Sequence, residues 1–308
     1  MPNRIAVIDL GTNTFHILIA EAQADHSFKD LHRQRFFVKL AEEGIETIGK
    51  APLDRGFKAL THFKKLIEEL QVTKVKAIGT AALRTATNGP TFVQEVKEKL
   101  GFQIELISGR QEANFIHKGV TLAVPFKENN YLLMDIGGGS VEFIIANKDH
   151  VHWAQSFPIG VGVLYKEFHK SNPISDQEII ATNTYIKNYL APLQLALQKF
   201  PATTLVGASG TFDVLESLLA KETTSPTHAY VAVEDFSPLY ERIIKTTETE
   251  RYEMQTIPDN RADMIVVALI LIDYILKNVA IDQIIVSKYA MKEGIMVDLL
   301  QTEITSMS

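Results

Sequence analysis

The sequence predicts an α/β protein made of two copies of one domain, and three observations predict it. Ile5 to Ala20 (IAVIDLGTNTFHILIA) aligns without a gap onto Tyr131 to Ala146 (YLLMDIGGGSVEFIIA), so that Asp9 falls on Asp135, Gly11 on Gly137 and Thr14 on Ser140, each 126 residues later. Each copy reads as a hairpin in which an apolar strand ends in a carboxylate, a glycine-bearing turn follows, and a second apolar strand runs back. Each hairpin is then followed by helical and strand patterns in alternation. A repeat of this period is far too long for a solenoid. Two domains related by a pseudo-twofold axis are expected, with the two hairpins facing each other across a cleft that closes on its ligand.

In the first copy Arg4 to Leu10 is a strand, Thr14 to Ala22 pairs with it and Phe28 to Leu40 is a third. Leu53 to Leu70 carries Phe57, Leu60, Phe63, Leu66, Ile67 and Leu70 at helical spacing, which gives one buried stripe. Val75 to Gly79 is a short strand ending in the polar turn Thr80-Ala81-Ala82-Leu83-Arg84, and strand ends of this kind line the ligand crevice of open α/β sheets. Phe92 to Leu100 is a helix stopped by Gly101, and Gln103 to Ile107 is another strand. Ser108 opens a helix to about Ala123, because Gln111 stands at capping-box spacing from it. The turn-rich stretch Pro125 to Asn130 sets the boundary, giving domains 1–125 and 126–308, with the last helix able to pack back on the first domain.

In the second copy Val151 to Phe157 is a strand, and Gly160-Val161-Gly162 precedes a helix to about His169. Ser175 caps one long helix through about Lys199 despite Pro192. Thr204 to Val206 is a buried strand ending in Gly207-Ala208-Ser209-Gly210-Thr211, the counterpart of the turn that carries Arg84. Glu234 to Lys245 and Arg261 to Leu276 are helices that lengthen this copy, Gln283 to Val286 is a strand, and a last helix starts near Met291. The charge run Glu248 to Glu253 reads as a solvated helical face.

Composition narrows the function classes. The chain has 308 residues, 46% of them apolar and 22% charged, as in globular proteins with a core of their own. It contains no cysteine, which removes disulfides and thiolate metal sites and fits a reducing compartment. The first residues pass directly into a strand, and no apolar run reaches the roughly 18 residues that would span a bilayer, so a cytoplasmic protein without a membrane partner is expected. A net charge of −6 argues against a nucleic-acid footprint. A polyanionic ligand would then be held by a few local cations and a metal.

The chemistry-bearing residues cluster at the repeat. Glycines at 137, 138 and 139 let consecutive N–H groups approach a phosphate, and Ser140 adds a hydroxyl. Asp135 and Glu142 flank that turn and would repel bare phosphate, which implies a divalent cation between them. Arg84 reads either as a surface cation or as a phosphate contact. Glu112 stands in a helical first turn, where the helix dipole favours acids; it also follows a strand end, where a carboxylate could serve as general base for water.

With these residues in view the chain resembles the actin, heat-shock chaperone and sugar kinase superfamily, and within it most closely the exopolyphosphatase and guanosine pentaphosphate phosphohydrolase family. The resemblance is carried by Asp9 to Thr14, Thr80 to Arg84, Ser108-Gly109-Arg110-Gln111-Glu112-Ala113, Asp135 to Ser140 with Glu142, and Gly207 to Thr211. It implies two actin-like, ribonuclease H-like domains with mixed sheets flanked by helices. It also implies hydrolysis of terminal phosphoanhydride bonds in inorganic polyphosphate or guanosine pentaphosphate, with guanosine tetraphosphate as a further ligand, no nucleic-acid partner, and room for a homodimer. Glu112 would orient and deprotonate water, and Arg84 would grip phosphate together with Gly11, Thr12, Asn13, Thr14, Gly137, Gly138, Gly139, Ser140, Gly207, Ser209, Gly210 and Thr211. Asp135 and Glu142, with Asp9 as the equivalent acid of the first copy, would hold Mg2+ or another divalent cation such as Mn2+. The wider superfamily also allows a kinase or ATPase, and a non-catalytic sensor of guanosine tetraphosphate or polyphosphate is a third reading.

Two departures stand out. The segment Ile159 to Leu164 lacks the arginine found there in many relatives, and Ala208-Ser209 stands where many carry another glycine. Longer relatives extend past residue 308 with a helical domain, so short chains or a nucleotide are the expected substrates.

Overall fold

The computed structural model describes residues 3–25, 27–220 and 225–307. The chain forms two compact units, one of residues 1–119 and 291–308 and the other of residues 120–290. Its elements are β1 (Arg4–Leu10), β2 (Thr14–Ala22), β3 (Phe28–Phe37), α1 (Lys50–Glu69), β4 (Lys74–Gly79), α2 (Ala81–Thr85), α3 (Gly89–Leu100), β5 (Ile104–Leu106) and α4 (Gly109–Ala123). There follow β6 (Tyr131–Ile136), β7 (Val141–Ala146), β8 (Val151–Phe157), α5 (Val161–Phe168), α6 (Asp176–Tyr189), α7 (Ala191–Lys199), β9 (Thr204–Ala208) and α8 (Gly210–Leu219). The chain ends with β10 (His228–Val231), α9 (Val233–Ile243), α10 (Glu248–Glu253), α11 (Asp259–Ala262), α12 (Ile265–Asn278), β11 (Gln283–Ser287) and α13 (Met291–Met307).

The duplication is visible in the sheets. The first has strand order β3-β2-β1-β4-β5, and the second, read from its other edge, is β8-β7-β6-β9-β11-β10. Five strands correspond one to one, each with an antiparallel hairpin followed by parallel strands. The sequence reading did not include β10, a four-residue strand that pairs antiparallel with β11 and adds an edge to the second sheet. Both central hairpins are buried, with Ile5, Ala6, Val7, Ile8, Leu132 and Met134 fully excluded from water. Burial on both faces explains their continuous apolar runs.

Four expected elements take a different form. Phe28 to Leu40 stops as a strand at Phe37, because the N–H groups of residues 38–40 turn to the carbonyls of Thr12 and Asn13. The long helix to Lys199 breaks at Leu190, and Pro192 starts α7, where its missing N–H leaves no bond unmade. The helix expected over Arg261 to Leu276 is split into α11 and α12. The turn after β4 is a short helix, α2, that carries Arg84. The 248–253 run is also not wholly solvated: Arg251 is fully buried, its Nε and Nη1 each donating at 2.6 Å to the carbonyls of Ala262 and Thr246. Among the described residues no helix is long and apolar enough to cross a membrane.

In the first unit α13 packs beside β1. Its buried Glu293 pairs with Arg33 of β3 at 2.5 Å, and a Cβ at Gly294 would stand 1.8 Å from the carbonyl oxygen of Phe115 in α4. Gly294→Ala should therefore push α13 and α4 apart and destabilise the protein by about 1–3 kcal/mol, to be read in urea unfolding.

In the second unit Ser175 and Glu178 form a reciprocal capping box at the start of α6, and the same carboxylate also accepts from the N–H groups of Lys170 and Ser171. Burial opposes ionisation of Glu178, but the bonds from Ser171 and Ser175 outweigh it and hold the carboxyl at about 2 instead of 4.5. A depressed carboxyl contributes stability above its unfolded pKa and loses it as pH falls toward the folded value. Glu178→Gln should thus lower the Tm by about 2–4 °C near neutral pH, with the gap to wild type closing between about pH 4 and pH 2 in a pH series of melts.

Candidate active site

The two hairpin turns close in the same way. Gly11 N–H donates to the Thr14 carbonyl at 3.0 Å, and Gly137 N–H to the Ser140 carbonyl at 2.9 Å. A Cβ at either glycine would lie 2.9 Å from that oxygen, closer than real Cβ atoms come. In the second unit Val161 and Gly162, at the start of α5, donate to the carbonyls of Gly137 and Gly138 at 3.0 and 2.8 Å. In a trans peptide the C=O and the following N–H point opposite ways. The N–H groups of Gly138 and Gly139 are therefore turned away from α5, and successive N–H groups so oriented make an anion cradle. Gly160 permits the approach, because a Cβ there would lie 2.5 Å from the backbone of Gly138 and Ser140. In the first unit residues 38–40 take the corresponding part. Val38 and Lys39 donate to the Asn13 carbonyl and Leu40 to that of Thr12, at 2.9, 2.9 and 2.7 Å.

Asp135 and Glu142 are direct partners in the β6–β7 register. Direct partners share a face of the sheet with Cβ atoms about 5 Å apart, and these two are only 9% and 2% exposed. Glu142 Oε1 accepts from Ser140 Oγ at 2.7 Å and from Ser156 Oγ at 2.6 Å, and Asp135 Oδ1 accepts from Ser209 Oγ. Two buried carboxylates side by side repel each other, and an oxygen-only donor set is the one magnesium and manganese prefer. The pair fits a hard divalent cation. Among the described residues no group of three or more His, Asp or Glu is arranged to hold a metal. Asp9 belongs to the first unit, where its register partner is His16. His16 Nε2 lies 2.8 Å from Thr14 Oγ1, just as Glu142 lies by Ser140. The same hydroxyl contact recurs 126 residues apart, with an imidazole in one copy where the other has a carboxylate.

Arg84 and Glu112 meet in the first unit. The Ser108–Gln111 capping box forms, with Ser108 N–H to Gln111 Oε1 at 2.9 Å, and it fixes the first turn of α4 that carries Glu112. Arg84 is aimed by a 2.6 Å bond from its Nη1 to the Ile107 carbonyl, and the same nitrogen stands 3.5 Å from Glu112 Oε2. Glu112 is 7% exposed.

The third glycine stretch is mixed in character. Gly207 lies inside β9, and the Phe212 ring fills the space of its missing side chain. Ser209 and Gly210 start α8, Thr211 is buried in its first turn, and the guanidinium of Arg261 lies against Gly210 so closely that a Cβ would overlap it. Arg261 is a cation the sequence reading missed, 51 positions from the turn it covers and without a local pattern to mark it. Ser156 and His16 were also missed. Both could have been found by writing out the strand register opposite Glu142 and Asp9.

The Ppx/GppA phosphatase family model matches residues 18–303. The chain belongs to the Ppx/GppA phosphatase family. Members of it are hydrolases. This Ppx/GppA protein is 36% identical to an exopolyphosphatase from Cytophaga hutchinsonii whose crystal structure superposes with a TM-score of 0.93, covering 97% of this chain and 98% of that one. An Aquifex aeolicus family member shares the actin-like fold at a TM-score of 0.82 and 24% identity, over 98% of this chain and 99% of the other. A putative exopolyphosphatase of Haemophilus influenzae is 28% identical over 96% of this chain and 91% of its own length. A guanosine-5'-triphosphate,3'-diphosphate pyrophosphatase of Vibrio vulnificus is also 28% identical over 96% of this chain, which spans 59% of that protein.

The Gly160 contact yields a test of the turn. Gly160→Ala should displace the Gly138–Gly139 cradle and lower phosphatase turnover by about a hundredfold, the usual cost of a misplaced binding group. Steady-state phosphate release alongside a circular dichroism spectrum checks it.

Proposed function

We propose that the protein removes terminal phosphate from inorganic polyphosphate, guanosine pentaphosphate or both, by attack of a water molecule activated by Glu112. The observation that carries this reading is the buried Glu112 carboxylate on a firmly capped helix, with the Arg84 guanidinium 3.5 Å from it. Likeness to the Cytophaga exopolyphosphatase over nearly the whole chain supports the substrate class.

Phosphoryl transfer asks a protein chiefly for positioning and charge neutralisation. The glycine turns bind phosphate oxygens through backbone N–H groups, with Thr12, Asn13, Thr14 and Ser140 beside them. Arg84 faces the phosphoryl group under attack, and Arg261 adds positive charge at the Gly210 turn. Glu112 accepts one proton from water as the new P–O bond forms. The bridging P–O bond breaks, and the electron pair leaves on the remaining phosphate chain, so the products are orthophosphate and a polymer or nucleotide one phosphate shorter. Asp135 and Glu142 would hold Mg2+ or Mn2+, which supplies neutralisation of phosphate charge when bound.

Glu112→Gln keeps the side chain's shape and removes the base. Turnover should fall by about 10²–10⁴-fold while the Tm stays within a few degrees of wild type. The measurement is orthophosphate release from short polyphosphate, long polyphosphate and guanosine pentaphosphate side by side. Full activity in this variant takes Glu112 out of the reaction, and tight binding without turnover in the wild type selects a sensor instead.

A further inference from the structure

Ser209 is held in a backbone conformation that other side chains avoid. Its φ of 73° and ψ of 173° fall in a region that is essentially reserved for glycine. Ser209 is one of three non-glycine residues with positive φ among those described, the others being Lys39 and Gln71. A glycine at this junction of β9 and α8 would make the same turn without strain. The serine therefore has to be explained by its hydroxyl.

That hydroxyl donates to Asp135 Oδ1. Ala208 is the register partner of Asp135 in the parallel β6–β9 ladder, so residue 209 is the first position past the strand from which a side chain can reach across to that carboxylate. Glu142, facing Asp135 on the neighbouring strand, is held in like manner by Ser140 and Ser156. The pair is thus braced by hydroxyl donors from both sides. Such outer partners fix the plane of a ligating carboxylate, and their loss commonly weakens metal binding by about 10–100-fold.

We propose that Ser209 is a positioning residue for a divalent cation at Asp135 and Glu142: its hydroxyl orients the Asp135 carboxylate, and the strained backbone is what brings the hydroxyl there. This rests on the reading of Asp135 and Glu142 as a cation pair. It gives Ser209 a role directed at the carboxylate instead of the phosphate, and it accounts for a serine where the turn itself would take glycine.

Mn2+ binding followed by electron paramagnetic resonance, without substrate, tests it in the full chain for wild type and for Ser209→Ala, Ser209→Gly and Asp135→Asn. Both Ser209 variants should bind Mn2+ about tenfold more weakly, and Asp135→Asn should lose binding altogether. Ser209→Gly, freed of strain, should melt about 2–4 °C above Ser209→Ala. Wild-type affinity in Ser209→Ala, with binding lost in Asp135→Asn, overturns the role of Ser209 and leaves the cation pair standing. Wild-type affinity in Asp135→Asn overturns the cation pair and the inference with it. A Ser209→Gly melt no higher than that of Ser209→Ala overturns the link to backbone strain.

Discussion

The hydrogen bond from a turn glycine to the carbonyl three residues on is the constraint from which the rest of each unit follows. It closes the hairpin at Gly11–Thr14 and again at Gly137–Ser140, in a space that admits no Cβ. Closing the turn so tightly sets the register of the strands on either side, and register decides which side chains stand opposite each other. Asp135 meets Glu142 and Asp9 meets His16 for that reason alone. The carbonyls of the turn are then taken up by a following segment, α5 in one unit and residues 38–40 in the other. What the turn has left to offer a ligand is its N–H groups.

Duplication has kept this geometry while changing its chemistry. In the second unit the position across from the aspartate is a carboxylate with two serine donors, a set suited to a hard cation. In the first it is an imidazole bonded to a threonine hydroxyl. The strand order shows the same economy, since the second sheet repeats the first and adds only β10 at an edge. Each unit also carries charged side chains away from its hairpin. Arg84 comes from the short helix after β4, Glu112 from the capped start of α4, and Arg261 from α11, which is tied down through the Arg251 bond to the Ala262 carbonyl.

Much of this was legible from the residues. The gapless match of Ile5–Ala20 to Tyr131–Ala146 encodes both hairpins, because alignment of a two-residue period with a glycine turn leaves little freedom in register. The Ser108–Gln111 spacing located the start of α4 for a similarly local reason. Long-range relations were harder. Arg251 looked solvated because its neighbours in sequence are acids, whereas its burial depends on carbonyls five and eleven residues away. Gly207 lies in β9 with the Phe212 ring in the space of its missing side chain, a packing relation that the sequence of the turn does not display. The break at Leu190 is marked by Pro192, which a single helix from the Ser175 cap to Lys199 has to carry in its interior.

The membership of α13 in the first unit bears on how the protein is made. A ribosome delivers β1 before residues 120–290 and α13 after them, so the first unit lacks Glu293 and Gly294, and with them the Arg33 pair and the close approach to Phe115, until the second unit has been made. Residues 120–290 form a contiguous unit with its own core and can complete their packing earlier. The half whose translation starts first is therefore the half that finishes folding second, and until then β1 lacks the cover of α13.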